Sequence, residues 1–394
     1  MLTLPKFNGM TNKHAYDDIP DGKLGIAVNC QFTNSGKTLF PRPGKTRLYT
    51  GNVHSLFYDK NITLFSEGGS LKKLLVNNTS IILKTGIGSS KVFYTKVGDI
   101  VYWANELACG KIVAGVNKEW GCPRPPKQPQ AIAIDSGGMN AGTYRVVITW
   151  LSYNQESGTG LSVSIDVLEG GGIHLMNFPI PDTTVDGVCI YLSSVNSDNM
   201  YLYGEFSKEL TDISLIKHLG NVALLTQFLF KPDPKRSVCA HLGRIYYSSG
   251  SQLYYTEPYA YGLQKANNYF NFSSEIKTIV SLPPFLFVGT KIETYKISNI
   301  DGVDGSVPSI DALQITASVL GSECYDTDGK SAYCLTDRGF TRYSVDGTVT
   351  DISFDDCALP MYEEGTMQLT EENGLRYLTF VGKNQTTNKL AVTN

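Results

Sequence analysis

Seven aspartates near the C-terminal end have the clearest capacity for chemistry, because clustered carboxylates can bind cations or transfer protons. They are Asp326, Asp328, Asp337, Asp346, Asp351, Asp355 and Asp356. A calcium loop places carboxylates at alternate positions before a glycine and a distant glutamate, and this spacing is absent. Most of the seven stand near a glycine, where an aspartate caps its own turn. We therefore predict that these aspartates are turn residues. Glycoside hydrolysis is an alternative that would need a pair of carboxylates, but the sequence marks out no particular pair.

The other reactive residue types form no catalytic or metal-binding pattern. The eight cysteines are scattered without a CxxC pair, and no two of the five histidines are spaced to share a metal ion. Gly-Lys-Thr at 36–38 and 44–46 lacks the first glycine of a phosphate-binding loop. We expect buried, reduced thiols, no bound metal, no cofactor and no enzymatic activity.

Two groups of residues are candidates for contact with a partner. Arg42, Lys45 and Arg47 form a basic corner that could line a DNA channel or meet an acidic neighbour, although a solvated corner is the simpler interpretation. Tyr259 and Tyr261 fall in a wide loop, and exposed tyrosines suit a subunit interface. Core packing is the alternative for tyrosines on strands.

Composition limits the class of protein. The chain has 394 residues, 42% of them hydrophobic and 18% charged, which is typical of a folded globular protein. Its formal net charge of −3 excludes a globally basic nucleic-acid binder. We find no apolar run long enough for a membrane span, and we expect no secretory signal.

Short strands separated by glycine turns dominate the pattern. Between residues 237 and 297, Gly243 and Gly250 stand at two tight corners between Tyr-, Val- and Ile-rich runs. Similar units recur about every 30 to 40 residues, which is typical of the four-stranded blades of a β-propeller. We predict an all-β fold with six or seven blades, in which the C-terminal strand pairs with an N-terminal one.

A proline-rich stretch at residues 120–129 interrupts this pattern. Longer alternating strands follow it, which predicts an inserted β-sandwich of immunoglobulin or fibronectin type III kind. Residues 209–230 have a mildly helical pattern. The predicted organisation is an N-terminal arm at 1–23, propeller blades at 24–122, the inserted sandwich with its return segment at 127–230, and further blades at 235–394.

Several segments resemble one protein family. They are HLGRIYYSSGSQLYYTEPYAYGL at 241–263, PFLFVGTKIETYKISN at 284–299, NCQFTNSGKTLFPRPG at 29–44, GTYRVVITWLSYNQESG at 142–158 and YCLTDRGFTRYSVDGTVTDIS at 333–353. They resemble the β-propeller tail nozzle or hub proteins of short-tailed bacteriophages and related prophages, and the resemblance extends over most of the chain.

The resemblance implies a structural virion protein that is assembled in the bacterial host cytoplasm. Its copies would form a ring, six by analogy with the family, below the portal and adaptor. Tail fibre or needle proteins would attach to it, and double-stranded DNA would pass through the lumen without sequence recognition. A carbohydrate-binding or glycoside-cleaving propeller is the alternative, although it would need stacking tryptophans and the chain has only three.

Overall fold

The computed structural model describes residues 10–26, 28, 30–32, 39–41, 47–217, 220–300, 307–353, 359, 360, 362–372 and 375–384. Within these residues one short 3-10 helix, Tyr16–Asp18, accompanies many β-strands. The all-β class is therefore confirmed, and the mildly helical pattern at residues 209–230 was misleading, since its described part holds a strand and no helix. No helix in the described part of the chain is long and apolar enough to cross a membrane.

Five antiparallel sheets, named A to E, have four strands each in chain order. Sheet A contains β3 (His54–Asp59), β4 (Ile62–Glu67), β5 (Ser70–Leu74) and β6 (Ser80–Thr85). Sheet B contains β7 (Phe93–Val97), β8 (Ile100–Ala104), β9 (Cys109–Val113) and β10 (Val116–Lys118). Sheet C contains β19 (Val238–His241), β20 (Arg244–Ser249), β21 (Gln252–Tyr255) and β22 (Tyr269–Asn271). Sheet D contains β23 (Ile276–Leu282), β24 (Phe285–Thr290), β25 (Glu293–Ser298) and β26 (Ser309–Ile315). Sheet E contains β27 (Cys324–Tyr325), β28 (Ser331–Thr336), β29 (Gly339–Ser344) and β30 (Val349–Asp351).

Two hairpins flank these sheets in the chain. The N-terminal hairpin pairs β1 (Cys30–Phe32) with β2 (Leu39–Pro41), and the C-terminal hairpin pairs β31 (Tyr362–Glu372) with β32 (Leu375–Asn384). Within the described residues neither hairpin pairs with another named strand, although Glu364 of β31 forms a single parallel bridge with Leu320. Among these described residues the predicted pairing of an N-terminal with a C-terminal strand does not occur.

Successive sheets pack face to face because their central strands are apolar on both sides. On β20, Ile245 and Tyr247 pack against sheet B, whereas Tyr246 points the other way and packs against sheet D. On β8, Trp103 faces sheet A and Tyr102 faces sheet C. Alternate residues of a strand point to opposite faces, so a run of buried residues indicates a sheet covered on both sides.

The same packing continues along the chain. Val280 and Phe287 of sheet D meet Tyr343 of sheet E, and Leu335 of sheet E meets Met367 of the C-terminal hairpin. Small four-stranded sheets that pack on one another in sequence are the arrangement of propeller blades. The fold is therefore propeller-like.

Two further sheets are inserted between sheets B and C. Sheet F contains β11 (Gln130–Ile134), β15 (Gly172–Met176) and β18 (Asp212–Leu215). Sheet G contains β12 (Gly142–Ser152), β13 (Gln155–Glu156), β14 (Val163–Val167), β16 (Gly187–Ser193) and β17 (Met200–Ser207). Ile173 and Leu175 of sheet F share one buried core with Ile148, Trp150 and Ile190 of sheet G. The inserted pair therefore has its own hydrophobic core, separate from the clusters between sheets A to E.

The joint between the inserted sheets and sheet C is closely packed. The indole Nε1 of Trp120 donates a hydrogen bond to the carbonyl of Tyr261 at 2.8 Å. A Cβ atom on Gly121 would lie 2.4 Å from the carbonyl oxygen of Gly262, so only glycine fits there without backbone movement. Lys231 and Glu119 form an ion pair at 2.6 Å beside this contact.

Candidate functional site

The predicted role of the C-terminal aspartates as turn residues is confirmed at two positions. The Asp328 carboxylate accepts a hydrogen bond from the backbone N–H of Lys330 at 2.8 Å, and the Asp346 carboxylate accepts one from Thr348 at 2.9 Å. Asp355 and Asp356 lie outside the described residues. Among those that are described, no group of three His, Cys, Asp or Glu side chains could hold a metal ion.

Asp326 and Asp351 do not act as turn caps. The Asp326 carboxylate is almost completely buried and accepts a hydrogen bond from the Arg376 guanidinium of β32 at 2.8 Å. Asp351 pairs with Arg338 at 3.0 Å. Asp326 thus connects sheet E to the C-terminal hairpin. The partners are far apart in the sequence, so the sequence gives no local signal for this contact.

A charged cluster joins sheets B, C and D. Arg236, just before β19, pairs with Glu106 at 2.6 Å and also with Glu275, which precedes β23. Glu275 pairs in turn with Lys277 at 2.7 Å. The hydrogen bond from Arg236 lowers the pKa of Glu106, and burial lowers the pKa of Lys277. These side chains are held in ion pairs between sheets, which suits a structural role better than proton transfer.

Lys91 connects sheet B to the C-terminal hairpin. It stands just before β7, and its ammonium donates hydrogen bonds to the carbonyl of Gly365 and, at 2.8 Å, to the Thr366 hydroxyl on β31. Burial lowers the pKa of Lys91, while the carboxylates of Glu323 and Glu364 oppose that change. Burial likewise raises the pKa of Glu323, opposed by Lys91. The hairpin that follows sheet E therefore contacts the beginning of sheet B.

A cavity of about 510 Å³ adjoins the charged cluster that contains Arg236 and Lys277. Basic and acidic side chains both line it, including Arg236, Lys277, Lys291, Asp337, Glu363 and Glu364. A wall of mixed sign does not select an anion or a cation by charge alone. The charges that line this cavity therefore do not indicate which class of ligand it could bind.

Tyr259 is the most prominent of the predicted contact residues. Its side chain is 80% exposed, and its neighbour across the corner, Leu242, is 39% exposed. The N–H of Tyr259 donates a hydrogen bond to the carbonyl of Gly243 at 2.7 Å. A Cβ atom on Gly243 would lie 2.9 Å from the Tyr259 ring, so the glycine leaves room for the aromatic side chain. We call Leu242 and Tyr259 the sheet C knob.

The backbone of the knob is in an unfavourable conformation. Leu242 has φ 43° and Tyr259 has φ 57°, in the left-handed region that bulky residues rarely adopt. Each such residue costs on the order of 1–3 kcal/mol, and such strain concentrates at functional sites. Leu242 and Gly243 are the two corner residues of the hairpin between β19 and β20, and a turn of this kind needs positive φ at both, so the turn accounts for the conformation of Leu242. The sequence identified Tyr259 through its loop, and it placed Leu242 beside the tight corner at Gly243 without marking it as a contact residue.

The remaining predicted contact residues are placed differently. Tyr261 is half-buried and lies edge-on to Tyr102, with ring centroids 6.0 Å apart, so it belongs to the joint between sheets. The exposed Arg47 donates from its guanidinium to the carbonyls of Tyr49 at 2.9 Å and Gly51 at 3.1 Å. Arg42 and Lys45 lie outside the described residues. Of the predicted basic corner the structure describes Arg47 alone, and the two hydrogen bonds of its guanidinium stay within residues 47–51.

Five cysteines, buried or partly buried, have no features of nucleophiles. Burial raises the pKa of Cys109 to about 11 and that of Cys122, Cys189, Cys239 and Cys324 to about 12 each. A reactive thiol needs a lowered pKa and access to solvent. These thiols stay protonated and contribute to packing.

All three tryptophans are buried. Trp103 and Trp120 have no exposed surface and Trp150 is 4% exposed. A sugar-binding site that stacks pyranose rings on tryptophan is therefore not available on this surface, and a carbohydrate site would have to use tyrosine.

Comparisons with known proteins add little. No protein-family model matches the chain, and no curated protein matches its sequence. Among solved structures, virginiamycin B lyase from Staphylococcus aureus is 9% identical, with 84% of this chain and 91% of that chain covered and a TM-score of 0.33. Hsv2 from Kluyveromyces lactis is also 9% identical, with 85% and 99% covered and a TM-score of 0.31. At such scores the likenesses carry no argument about this chain.

Proposed function

We propose that this protein is a structural component of the tail of a short-tailed bacteriophage. Its copies form a ring, the nozzle or hub, that retains the genome and serves as part of the channel for its ejection. The observation that carries the proposal is the sheet C knob, which lies inside the segment at 241–263 that resembles the tail family. There the chain holds Tyr259 and Leu242 exposed at a cost in backbone strain. Tyrosine is enriched among the residues that dominate protein interfaces.

The finer architecture is part of the same proposal. Sheets A to E supply five blades, and the C-terminal hairpin, which lies against sheet E, marks the position of a sixth. The inserted sheets F and G form a β-sandwich of immunoglobulin or fibronectin type III kind, with the strands of each sheet antiparallel around one core. A rigid wheel with a firmly attached sandwich suits the wall of a tube, because few of its sheet edges stay open.

The partners follow from this role. The copies contact one another in a cyclic assembly, six by analogy with the tail family, below the portal and adaptor ring. Tail fibre or needle proteins attach to its outer surface. Double-stranded DNA passes through the lumen without base recognition, which fits a chain with a net charge of −3. The protein works in the virion after assembly in the host cytoplasm.

The test compares assembly of the unchanged chain with two tyrosine variants. Light scattering after size exclusion, with and without a purified portal–adaptor complex, measures the number of copies. Tyr259→Ala should prevent ring formation. Tyr269→Ala, a less exposed tyrosine on β22 of the same sheet, serves as the control and should not. If the unchanged chain stays monomeric with the portal–adaptor complex and cleaves polysaccharides, the glycoside-cleaving alternative replaces this proposal.

A further inference from the structure

An uncharged segment crosses the surface of the inserted sheets before the chain returns to sheet C. Residues 220–230, which read GNVALLTQFLF, contain no charged side chain, and we call this segment the strap. Three of its large apolar side chains are exposed: Leu225 by 84%, Val222 by 53% and Phe228 by 52%. Contiguous exposed apolar patches are uncommon on monomeric proteins and mark sites of interaction.

The strap is fixed at both of its ends. Near its start it runs beside the edge of β17, where the Leu202 N–H donates a hydrogen bond to the Val222 carbonyl at 2.8 Å. Its last residue, Phe230, exchanges two backbone hydrogen bonds with Gln264, at 2.8 and 2.9 Å. The strap therefore presents its apolar side chains on an ordered backbone, so a partner that binds there does not have to order it first.

A second uncharged segment lies against the strap and extends the same surface. Residues 157–165 also lack charged side chains. The Phe228 N–H donates a hydrogen bond to the Thr159 carbonyl at 2.9 Å, which joins the two segments. Leu161, two residues beyond Thr159, is 78% exposed. The exposed apolar side chains of both segments therefore belong to one region of the surface.

Phe228 occupies a position where a smaller residue would suit the backbone better. The Leu229 N–H donates a hydrogen bond to the Thr226 carbonyl at 3.2 Å and closes a four-residue turn, in which Phe228 is the third residue and has φ 61°. The turn accounts for the positive φ, but turns of this geometry prefer glycine or asparagine at that position. It does not account for a half-exposed phenyl group, which is the kind of side chain enriched in protein interfaces.

The lack of charge indicates which partner the strap fits. In a two-fold contact between copies the same patch meets itself, so a charged patch would place like charges opposite each other. The strap avoids this cost because it carries no charge. An anionic lipid surface, by contrast, attracts lysine and arginine beside the apolar side chains, and residues 220–230 contain neither. A second copy of this chain is therefore the better match.

We propose that the strap is a self-association surface through which two copies of this chain form a dimer about a two-fold axis. Leu225 and Phe228 of one copy pack on the strap of the second copy, and Val222 and Leu161 contribute to the same buried patch. This contact uses residues other than the sheet C knob and requires no portal–adaptor complex. It therefore stands or falls independently of the tail assignment.

Analytical ultracentrifugation of the full chain measures this contact. We expect a monomer–dimer equilibrium without any added protein. Leu225→Asp and Phe228→Asp should each weaken the dimer by about tenfold or more, because the two-fold axis then brings two carboxylates together in an apolar patch. Aspartate tolerates positive φ, so the turn at residue 228 is kept. The sedimentation coefficient of the monomeric variants shows that they remain folded.

The matched control is Leu168→Asp, which changes a leucine that is 77% exposed in the turn after β14 of the same inserted sheets. It should leave the equilibrium unchanged, and so should Tyr259→Ala, which separates this contact from the proposed ring. An unchanged chain that sediments as a monomer over the whole concentration range would overturn the proposal. Equal weakening of the dimer by Leu168→Asp would also overturn it.

A symmetric cross-link locates the surface. Near a two-fold axis each residue lies close to its equivalent in the second copy, so one introduced cysteine can form a disulfide with itself. Ala223→Cys and Leu225→Cys, in separate variants, should give covalent dimers after mild oxidation, and peptide mass spectrometry identifies the bond. Ala133→Cys, at an exposed alanine on β11 of sheet F, is the control and should give none. Absence of the bond at both strap positions, or an equal yield in the control, would contradict the proposed dimer.

Discussion

Lys111 offers a quantitative test of the joint between sheet B and the inserted sheets. It lies on β9, is 4% exposed and donates a hydrogen bond to the side-chain oxygen of Gln155 on β13. Burial, with a smaller contribution from the positive charge of Lys118, lowers the pKa of Lys111 from 10.5 to about 8. At neutral pH the chain therefore buries an ammonium group that would be more stable in water.

The sign of the pH dependence follows from this difference. Between about pH 8 and about pH 10.5 the unfolded chain keeps the Lys111 proton while the folded chain has lost it. Folding stability due to this group therefore rises with pH across that interval. The fall in pKa corresponds to about 3 kcal/mol, and the hydrogen bond to Gln155 offsets about 1 kcal/mol of it.

The Lys111→Met variant should consequently be more stable than the unchanged chain by about 2 kcal/mol at neutral pH. The advantage should disappear, and then reverse, as the pH approaches about 10.5. Urea unfolding followed by tryptophan fluorescence at a series of pH values measures it, since all three tryptophans are buried. Lys60→Met, in the exposed turn after β3, is the control and should show no such dependence. A difference between Lys111→Met and the unchanged chain that does not vary with pH would refute the reasoning.

Three further changes test other contacts. Gly121→Val should lower the free energy of unfolding by at least about 2 kcal/mol, because the new side chain meets the Gly262 carbonyl; thermal unfolding checks this against Gly160→Ala, where the added Cβ meets nothing within 4 Å. Arg376→Met should cost about 2 kcal/mol by leaving the buried Asp326 carboxylate without its cation, and a double variant with Asp326→Asn should recover part of that loss. The described thiols with raised pKa should resist iodoacetamide at about pH 8 in the native protein and react after denaturation, as alkylation followed by mass spectrometry would show.

Local signals in the sequence predicted part of this fold well. Gly243 and Gly250 stand at hairpin corners with φ 74° and 60°, as the glycine spacing indicated. The short Tyr- and Ile-rich runs around these glycines form the strands β19, β20 and β21. Hairpin corners and short strands depend on residues that are close together in the chain, so they can be predicted from a single sequence.

Contacts between distant residues could not be predicted in the same way. The ion pair of Asp326 and Arg376, and the hydrogen bonds from Lys91 to β31, depend on how sheet E and the C-terminal hairpin pack. The sheet C knob was only partly predictable, because the glycine spacing indicated the corner at Gly243, whereas leucine is an unusual residue for the left-handed backbone that Leu242 adopts. Asp326 was predicted as a turn residue because its partner, Arg376, is distant in the sequence.

Cryo-electron microscopy of the purified chain mixed with a portal–adaptor complex would show whether the protein forms a tail ring. We expect a closed ring of copies docked below the adaptor, with an axial channel and with Tyr259 of each copy in contact with the neighbouring copy. Single unassociated copies beside bare portal–adaptor particles, or a ring in which Tyr259 faces solvent, would contradict it.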